Sequence, residues 1–499
     1  MSFDRLLAEA KARPGDLHAL ERLASEAIES GEEEIALPLL DAASKEDPSA
    51  RLLQWKALLE RSLDWHEEAL KSFEAAAALA PSDPGIAHGH ARTALEAGVP
   101  AEQLHEHALK LAPQDGQVLA GLVAARLAAG HGDQAEKELT GILARHPGWT
   151  DGHIQLAQLR SMLGKSESVT ELLETALAAA PNGQDLWLAL FNLQIKRERF
   201  ADLDAAIERA RSHGIGDELL VPYAAVAAGE LGKTAEADHL FAQWKDGSDR
   251  IWRLRHLLRS GRAEEAILLI DAGLSSEGAH EFWPYAALAW RLTGDARSTW
   301  LERDGELIHV YDLTSALPPQ DALAATLRRI HVARGEFLDQ SVRGGTQTDG
   351  PLFSRIEPEI RALRNAVSDA VRHYLSNLPP IEPGHPLLGH SRDRPVRFAG
   401  SWSVRLRDAG FHTSHVHPQG WISSALYVAL PEAAVGEPHA GWLSIGKPPP
   451  ELLSGAFGAC EIEPLPGRLV LFPSWMWHGT APFQHGERLT VAFDIARPR

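Results

Sequence analysis

Six prolines, Pro14, Pro48, Pro81, Pro113, Pro147 and Pro181, follow one another at intervals of 34, 33, 32, 34 and 34 residues. Punctuation this regular commits the first half of the chain to a repeat architecture. Each repeat is one supersecondary unit that buries its apolar face only against its neighbours, so the core must propagate along the array. A period near 34 residues fits a helix-turn-helix unit whose second helix is closed by the proline.

The interior of the repeat agrees with the tetratricopeptide pattern. In the unit that ends at Pro81, Ala69, Phe73 and Ala76 supply small, aromatic and small residues where two helices pack closely. Glycines that mark turns stand at Gly31, Gly130, Gly164 and Gly232, and degenerate later units carry Gly261 and Gly294. The array is expected to run to about residue 300, giving an all-α tetratricopeptide solenoid over 1–300 and a second domain over 301–499. A stacked solenoid leaves a concave face suited to a protein or peptide segment. A scaffold or dimerisation element is the alternative, and a homo-oligomer is compatible with either.

After residue 300 the periodicity changes. "ELIHVYDL" (306–313) reads as a strand, and helical stretches follow near 319–334 and 356–378. "QSVRGGTQTDG" (340–350) reads as a polar, glycine-rich loop, in which Arg343 and Gln347 are candidate lid or substrate contacts. From about 396 onward short strands alternate with turn signals, as in a sandwich or jelly roll with flanking helices. The barrel core is placed at about 396–499.

Within that core, "FHTSHVHPQGW" (411–421) holds three histidines. On an extended strand His415 and His417 project from one face, since side chains alternate. Two imidazoles leave a metal under-coordinated, so a third ligand is needed; His478 follows the strand-like "GRLVLFPS" in a tryptophan-rich setting. Ten residues later "RLTVAFD" sets Arg488, Thr490 and Ala492 on one face. A guanidinium beside a hydroxyl makes a receptor for a carboxylate. The single cysteine, Cys460, excludes an intrachain disulfide and a thiolate zinc cluster, which leaves histidine and carboxylate as ligands.

Taken together, the HxH pair, the distal histidine after G-R-L-V-L-F-P-S and the R-x-T ten residues on resemble the double-stranded β-helix of iron(II)- and 2-oxoglutarate-dependent oxygenases. "GFHTSHVHPQGWISSALYVALP" and "GRLVLFPSWMWHGTAPF" resemble more closely a family of 2-oxoglutarate oxygenases that often follow tetratricopeptide repeats. The resemblance covers about residues 305–499. It implies that His415, His417 and His478 hold Fe(II) and that Arg488 and Thr490 anchor the distal carboxylate of 2-oxoglutarate. O2 is then the second cosubstrate, and hydroxylation the usual outcome. Related enzymes place cosubstrate and substrate contacts on the strand after the metal pair, which makes Trp421, Ser423 and Tyr427 candidates.

One departure stands out: most such enzymes use HxD, whereas this chain has His417 in the second position. Asp408 and His412 are spare candidates ranked below it. Trp402, Trp442, Trp475 and Trp477 are read as core packing ahead of an active-site mouth. A cupin is disfavoured because its first motif needs a glutamate where Trp421 and Ile422 stand, and its second places histidine closer to the P-x-G turn. A zinc-dependent hydrolase and a non-catalytic adaptor with a metal-binding barrel remain as alternatives.

Charge and hydropathy bound the rest. A net charge of −19 disfavours nucleic-acid binding, which relies on basic surface. No apolar run suits a membrane helix, and the opening "MSFDRLLAEAKARPGD" is charged and helical in pattern, so the expected location is the cytoplasm.

Overall fold

The computed structural model describes every residue except 1, 246, 339, 432–438, 453–459 and 499. Contacts among the described residues divide the chain into two compact units, one of residues 1–135, 349–368 and 498–499, the other of residues 136–348 and 369–497.

The first unit begins with helix Phe3–Ala12 and continues in helix pairs, Leu17–Ser30 with Glu33–Glu46 and Ala50–Ser62 with His66–Leu79. Pro14, Pro48, Pro81 and Pro113 each stand two residues beyond a helix end, at Ala12, Glu46, Leu79 and Leu111. Proline cannot continue a helix, so it fixes each stop. The following start is fixed by a cap. Asp16, Ser49, Asp83 and Asp115 accept from the backbone N–H groups of Ala19, Leu52, Ile86 and Val118, each cap contributing about 1 kcal/mol. Inside the pairs, Ala69, Phe73 and Ala76 are fully buried. The Phe73 ring lies so close to Gly89 on the next helix that a Cβ there would meet it at 2.5 Å.

The second unit holds the later repeats, from Thr150–Met162 to Trp283–Thr293 and Arg297–Glu302, followed, among the described residues, by nine strands. The strands are β1 (His309–Asp312), β2 (Val342–Gln347), β3 (Phe398–His415), β4 (Ile422–Ala429), β5 (Leu443–Ile445), β6 (Cys460–Ile462), β7 (Arg468–Pro473), β8 (His478–Thr480) and β9 (Glu487–Ile495). They form one curled antiparallel sheet in the order β1-β7-β4-β9-β3-β8-β5-β6, with β2 paired to β3. A helical repeat region followed by a curled antiparallel sheet is the architecture expected of a solenoid joined to a jelly roll.

Two local expectations are corrected. The stretch 340–350 is not a loop throughout, because Val342–Gln347 pairs with β3 across a shift at Gly344, where φ is +70°. Glycines at 344 and 345 hide the strand signal, since they carry no side chain to alternate. Likewise, the short strands expected from about 396 onward begin with one long strand, β3 (Phe398–His415), bent where Asp408 and Ala409 take positive φ. That bend curls the sheet and carries His415 from the β9 side of β3 to its pairing with β8.

Sheet and repeats are joined by specific bonds within this unit. The Trp477 indole donates to the Pro284 carbonyl at 3.0 Å, and Arg291 donates to the Gly446 carbonyl at 2.9 Å. No helix among the described residues is long and apolar enough to cross a membrane.

Candidate metal centre

His415 and His478 are direct partners in the β3–β8 register, with ring centroids 4.2 Å apart. His417 lies just past the end of β3 rather than on it. Its backbone N–H is held by the Ser474 carbonyl at 3.0 Å, which brings its ring to 5.0 Å from His415 and 5.1 Å from His478. One ligand nitrogen from each of the three lies within 4.8 Å of the others.

The second nitrogen of each ring has its own acceptor. Nδ1 of His415 faces the Thr413 carbonyl at 2.8 Å, Nδ1 of His478 faces the Met476 carbonyl at 3.0 Å, and Nδ1 of His417 faces the Asp494 carboxylate at 2.6 Å. A proton fixed on each Nδ1 leaves three Nε2 lone pairs, which is how outer hydrogen bonds orient imidazole ligands. Burial, reinforced by the neighbouring His417, holds His415 down to about 3. Burial and the adjacent rings hold His478 well below its ordinary value. For His417 burial acts in the same direction, but the charge and hydrogen bond of Asp494 outweigh it and raise the value.

A cavity opens beside the cluster, lined by the three histidines together with His412, Trp402, Leu443, Arg488, Thr490 and Ala492. The β9 alternation thus places Arg488, Thr490 and Ala492 as the sequence pattern predicts. Arg488 is only 2% exposed, and no salt bridge reaches it among the described residues. Its guanidinium sits 5.1 Å from the centre of the Tyr427 ring, and Nε has no hydrogen-bond partner. A buried cation with no carboxylate costs several kcal/mol unless a ligand supplies one. Burial accordingly lowers the Arg488 value from its ordinary range. A divalent cation and an anionic cosubstrate fit these residues, since three lone pairs and an unmatched guanidinium face one cavity.

The other candidates are dispersed. Tyr427 packs against Arg488, while Ser423 turns its hydroxyl to Asp494 at 2.6 Å and Ser474 at 3.0 Å; Ser424 and Ala425 line the cavity. Gln347 is on the wall, whereas Arg343 pairs with Glu198 at 3.0 Å. The Trp421 indole donates to the Leu387 carbonyl at 3.2 Å. Trp402 lines the cavity with its ring centre 5.4 Å from that of His417, and Trp475 and Trp477 are buried. Trp442 stacks on His439. Asp408 accepts from the Gly486 N–H at 3.1 Å with a side chain 75% exposed, outside the cluster. His412 is a wall residue whose Nδ1 lies 3.1 Å from the Ser341 hydroxyl.

Asp494, Ser474 and Ser341 escaped sequence reading. For Asp494 a signal existed: it has the parity of Arg488, Thr490 and Ala492 on β9, so the face that supplies the cavity also supplies the carboxylate behind His417.

Residues 400–494 match the family described as "Putative 2OG-Fe(II) oxygenase", and residues 100–160 match a tetratricopeptide repeat. The chain therefore carries a tetratricopeptide segment and, at its C-terminal end, a domain of the 2OG-Fe(II) oxygenase type. Over 286 residues it is 24% identical to "TPR repeat-containing protein YpiA" of Bacillus subtilis, covering 56% of this chain and 60% of that protein's length. A solved tetratricopeptide repeat protein from Parabacteroides merdae is 16% identical, with a TM-score of 0.32, over 44% of this chain and 89% of its own. A solved prolyl-4-hydroxylase from Pseudomonas putida is 20% identical, with a TM-score of 0.26, over 39% of this chain and 95% of its own.

Proposed function

We propose that the chain is an iron(II)- and 2-oxoglutarate-dependent oxygenase of the hydroxylase type, with repeats over 1–300 that hold a protein or peptide partner and a catalytic domain over 301–499. The observation that carries this reading is Arg488: a buried guanidinium without a carboxylate, in the same cavity as three convergent imidazoles.

His415, His417 and His478 would hold the metal through Nε2, each ring steadied at Nδ1. Arg488 would take both oxygens of the distal carboxylate of 2-oxoglutarate, with the Thr490 hydroxyl as a further donor. Tyr427 keeps Arg488 aimed by packing against its guanidinium. Trp402 forms the wall beside His417. When bound, Fe(II) supplies the oxygen-activating chemistry that the family uses, with 2-oxoglutarate and O2 as cosubstrates. A zinc hydrolase would need a general base at the metal, and no aspartate or glutamate is among the described residues lining the cavity.

Anaerobic addition of Fe(II) and then 2-oxoglutarate to the full, metal-free chain tests this. The expected result is the visible charge-transfer band of the chelate, lost in His478→Ala and in Arg488→Ala. Metal binding without any band would overturn the assignment of cosubstrate.

A further inference from the structure

Three neutral imidazoles bring no negative charge to a divalent cation, and no carboxylate is among the described residues that line this cavity. The carboxylate that belongs to the cluster stands one ring further out. Asp494 is 8% exposed, and its Oδ2 lies 2.6 Å from Nδ1 of His417. Its other oxygen, Oδ1, accepts from the Ser423 hydroxyl at 2.6 Å, and Ser423 lies 3.0 Å from the Ser474 hydroxyl. Ser474 in turn fixes the backbone of His417 through its carbonyl. Asp494, Ser423, Ser474 and His417 thus form a closed loop of hydrogen bonds that sets both the ring and the chain carrying it.

Resting on the proposed function, we infer that Asp494 is the positioning residue of the metal centre: it orients His417 and, by drawing on the Nδ1 proton, delivers through the imidazole the negative charge that the three-histidine set lacks. Direct ligation by Asp494 is a different arrangement, and the geometry opposes it. The bonding directions of Nδ1 and Nε2 diverge across the ring, so a carboxylate bonded to Nδ1 is directed away from Nε2, the nitrogen that this bond leaves free to act as a ligand. An orienting carboxylate of this kind changes metal affinity by about 10- to 100-fold when removed. Its contribution is separable into orientation, which an amide can mimic, and charge, which it cannot.

The experiment is Co(II) binding to the full chain, read as affinity and as the position of the visible ligand-field band. Asp494→Asn keeps the shape and a hydrogen-bond acceptor; it is expected to weaken binding about 10- to 100-fold and to displace the band. Ser423→Ala, which leaves the charge in place but frees the carboxylate, is expected to weaken binding less and gives an independent readout should Asp494→Asn fail to fold. His417→Ala is expected to lose high-affinity binding altogether. Wild-type affinity and an unmoved band in both Asp494→Asn and Ser423→Ala would overturn the inference while leaving the metal site standing. Tight binding by His417→Ala together with loss in Asp494→Asn would overturn it in favour of direct ligation. A wild-type chain that binds no Co(II) would remove the proposed function itself, and this inference with it.

Discussion

The Ser161 hydroxyl, on a repeat helix, donates to the Glu336 carbonyl at 2.6 Å. The backbone N–H groups of Arg334 and Gly335 both reach the Met162 carbonyl, at 2.7 and 3.0 Å. This segment is therefore bonded to the end of a repeat helix shortly before the chain reaches Gln340 and Ser341 on the cavity wall. Ser341 stands 3.2 Å from Nε2 of His415 and 3.1 Å from Nδ1 of His412. The segment bonded to the repeats thus lies a few residues along the chain from Ser341, which touches the histidine cluster.

Gly335 is the point where that junction can be probed. A Cβ there would meet the Ser161 carbonyl oxygen at 2.4 Å and the Gly164 backbone at 2.8 Å, neither of which can swing aside. Gly335→Ala is expected to cost about 1–3 kcal/mol and to reduce 2-oxoglutarate turnover several-fold. Gly15→Ala, where a Cβ meets nothing within 4 Å, is the neutral control. Denaturant unfolding and succinate release measure the two effects; unchanged turnover would show that the junction does not shape the site.

Arg488→Met separates a binding residue from a structural one by the sign of its effect on stability. Removing a buried, unmatched charge while keeping the chain length is expected to raise the thermal midpoint. The same change is expected to weaken 2-oxoglutarate binding by about 30-fold or more, equivalent to about 2 kcal/mol or more, with metal affinity almost unchanged. Calorimetric titration and a thermal melt on one preparation read both. A lowered midpoint with unchanged cosubstrate affinity would make Arg488 a packing residue.

Much of this organisation was legible in the sequence because it rests on local rules. The proline period marked the helix stops, since each proline from Pro14 to Pro113 follows a helix end by two residues. Period-two alternation put Arg488, Thr490 and Ala492 on the cavity face. The strand β2 was not legible, because Gly344 and Gly345 leave no alternating pattern, and the continuity of β3 was hidden by the bend at Asp408 and Ala409, two non-glycine residues at positive φ. The bonds of Arg343 to Glu198 and of His417 to Asp494 span 145 and 77 residues. Such pairings depend on how the sheet curls and how the repeats meet it, which no local window contains.

Among the repeats, Glu96 predicts an acid limit. Burial alone would raise its carboxyl, but hydrogen bonds from His66 at 3.1 Å and from Arg61 at 2.6 Å, with the Arg61 charge, bring it down to about 2. A carboxylate whose folded value lies below its ordinary 4.5 stabilises fully above that ordinary value, and loses its contribution as pH falls towards 2. The shift corresponds to about 3 kcal/mol at neutral pH. Glu96→Gln is expected to be destabilised by about 2–3 kcal/mol at pH 7 and to converge with the wild type near pH 2. Urea unfolding at both pH values checks the convergence; an equal difference at each pH would assign the effect to packing.

His412 and His478 offer the sharpest test of which histidines form the centre, because both imidazoles, the first half-buried and the second buried, stand beside His415 and both are held well below their ordinary values, by desolvation first and by neighbouring charge second. They differ in what their nitrogens face. His478 has Nδ1 tied to the Met476 carbonyl and a nitrogen within the 4.8 Å cluster. His412 has Nδ1 near the Ser341 hydroxyl, and its ring is stacked 5.9 Å from that of His415, outside the cluster. Loss of one of three ligands leaves a divalent ion with two, so His478→Ala is expected to weaken Fe(II) or Co(II) binding by about 100-fold or more, on the order of 3 kcal/mol. His412→Ala is expected to change affinity by less than about 3-fold, under 1 kcal/mol, while altering the cavity wall. Metal titration of the two variants beside the wild type decides it. The reverse ranking would move the third ligand from β8 to the interior of β3 and would require the chain between Phe411 and His417 to be rebuilt.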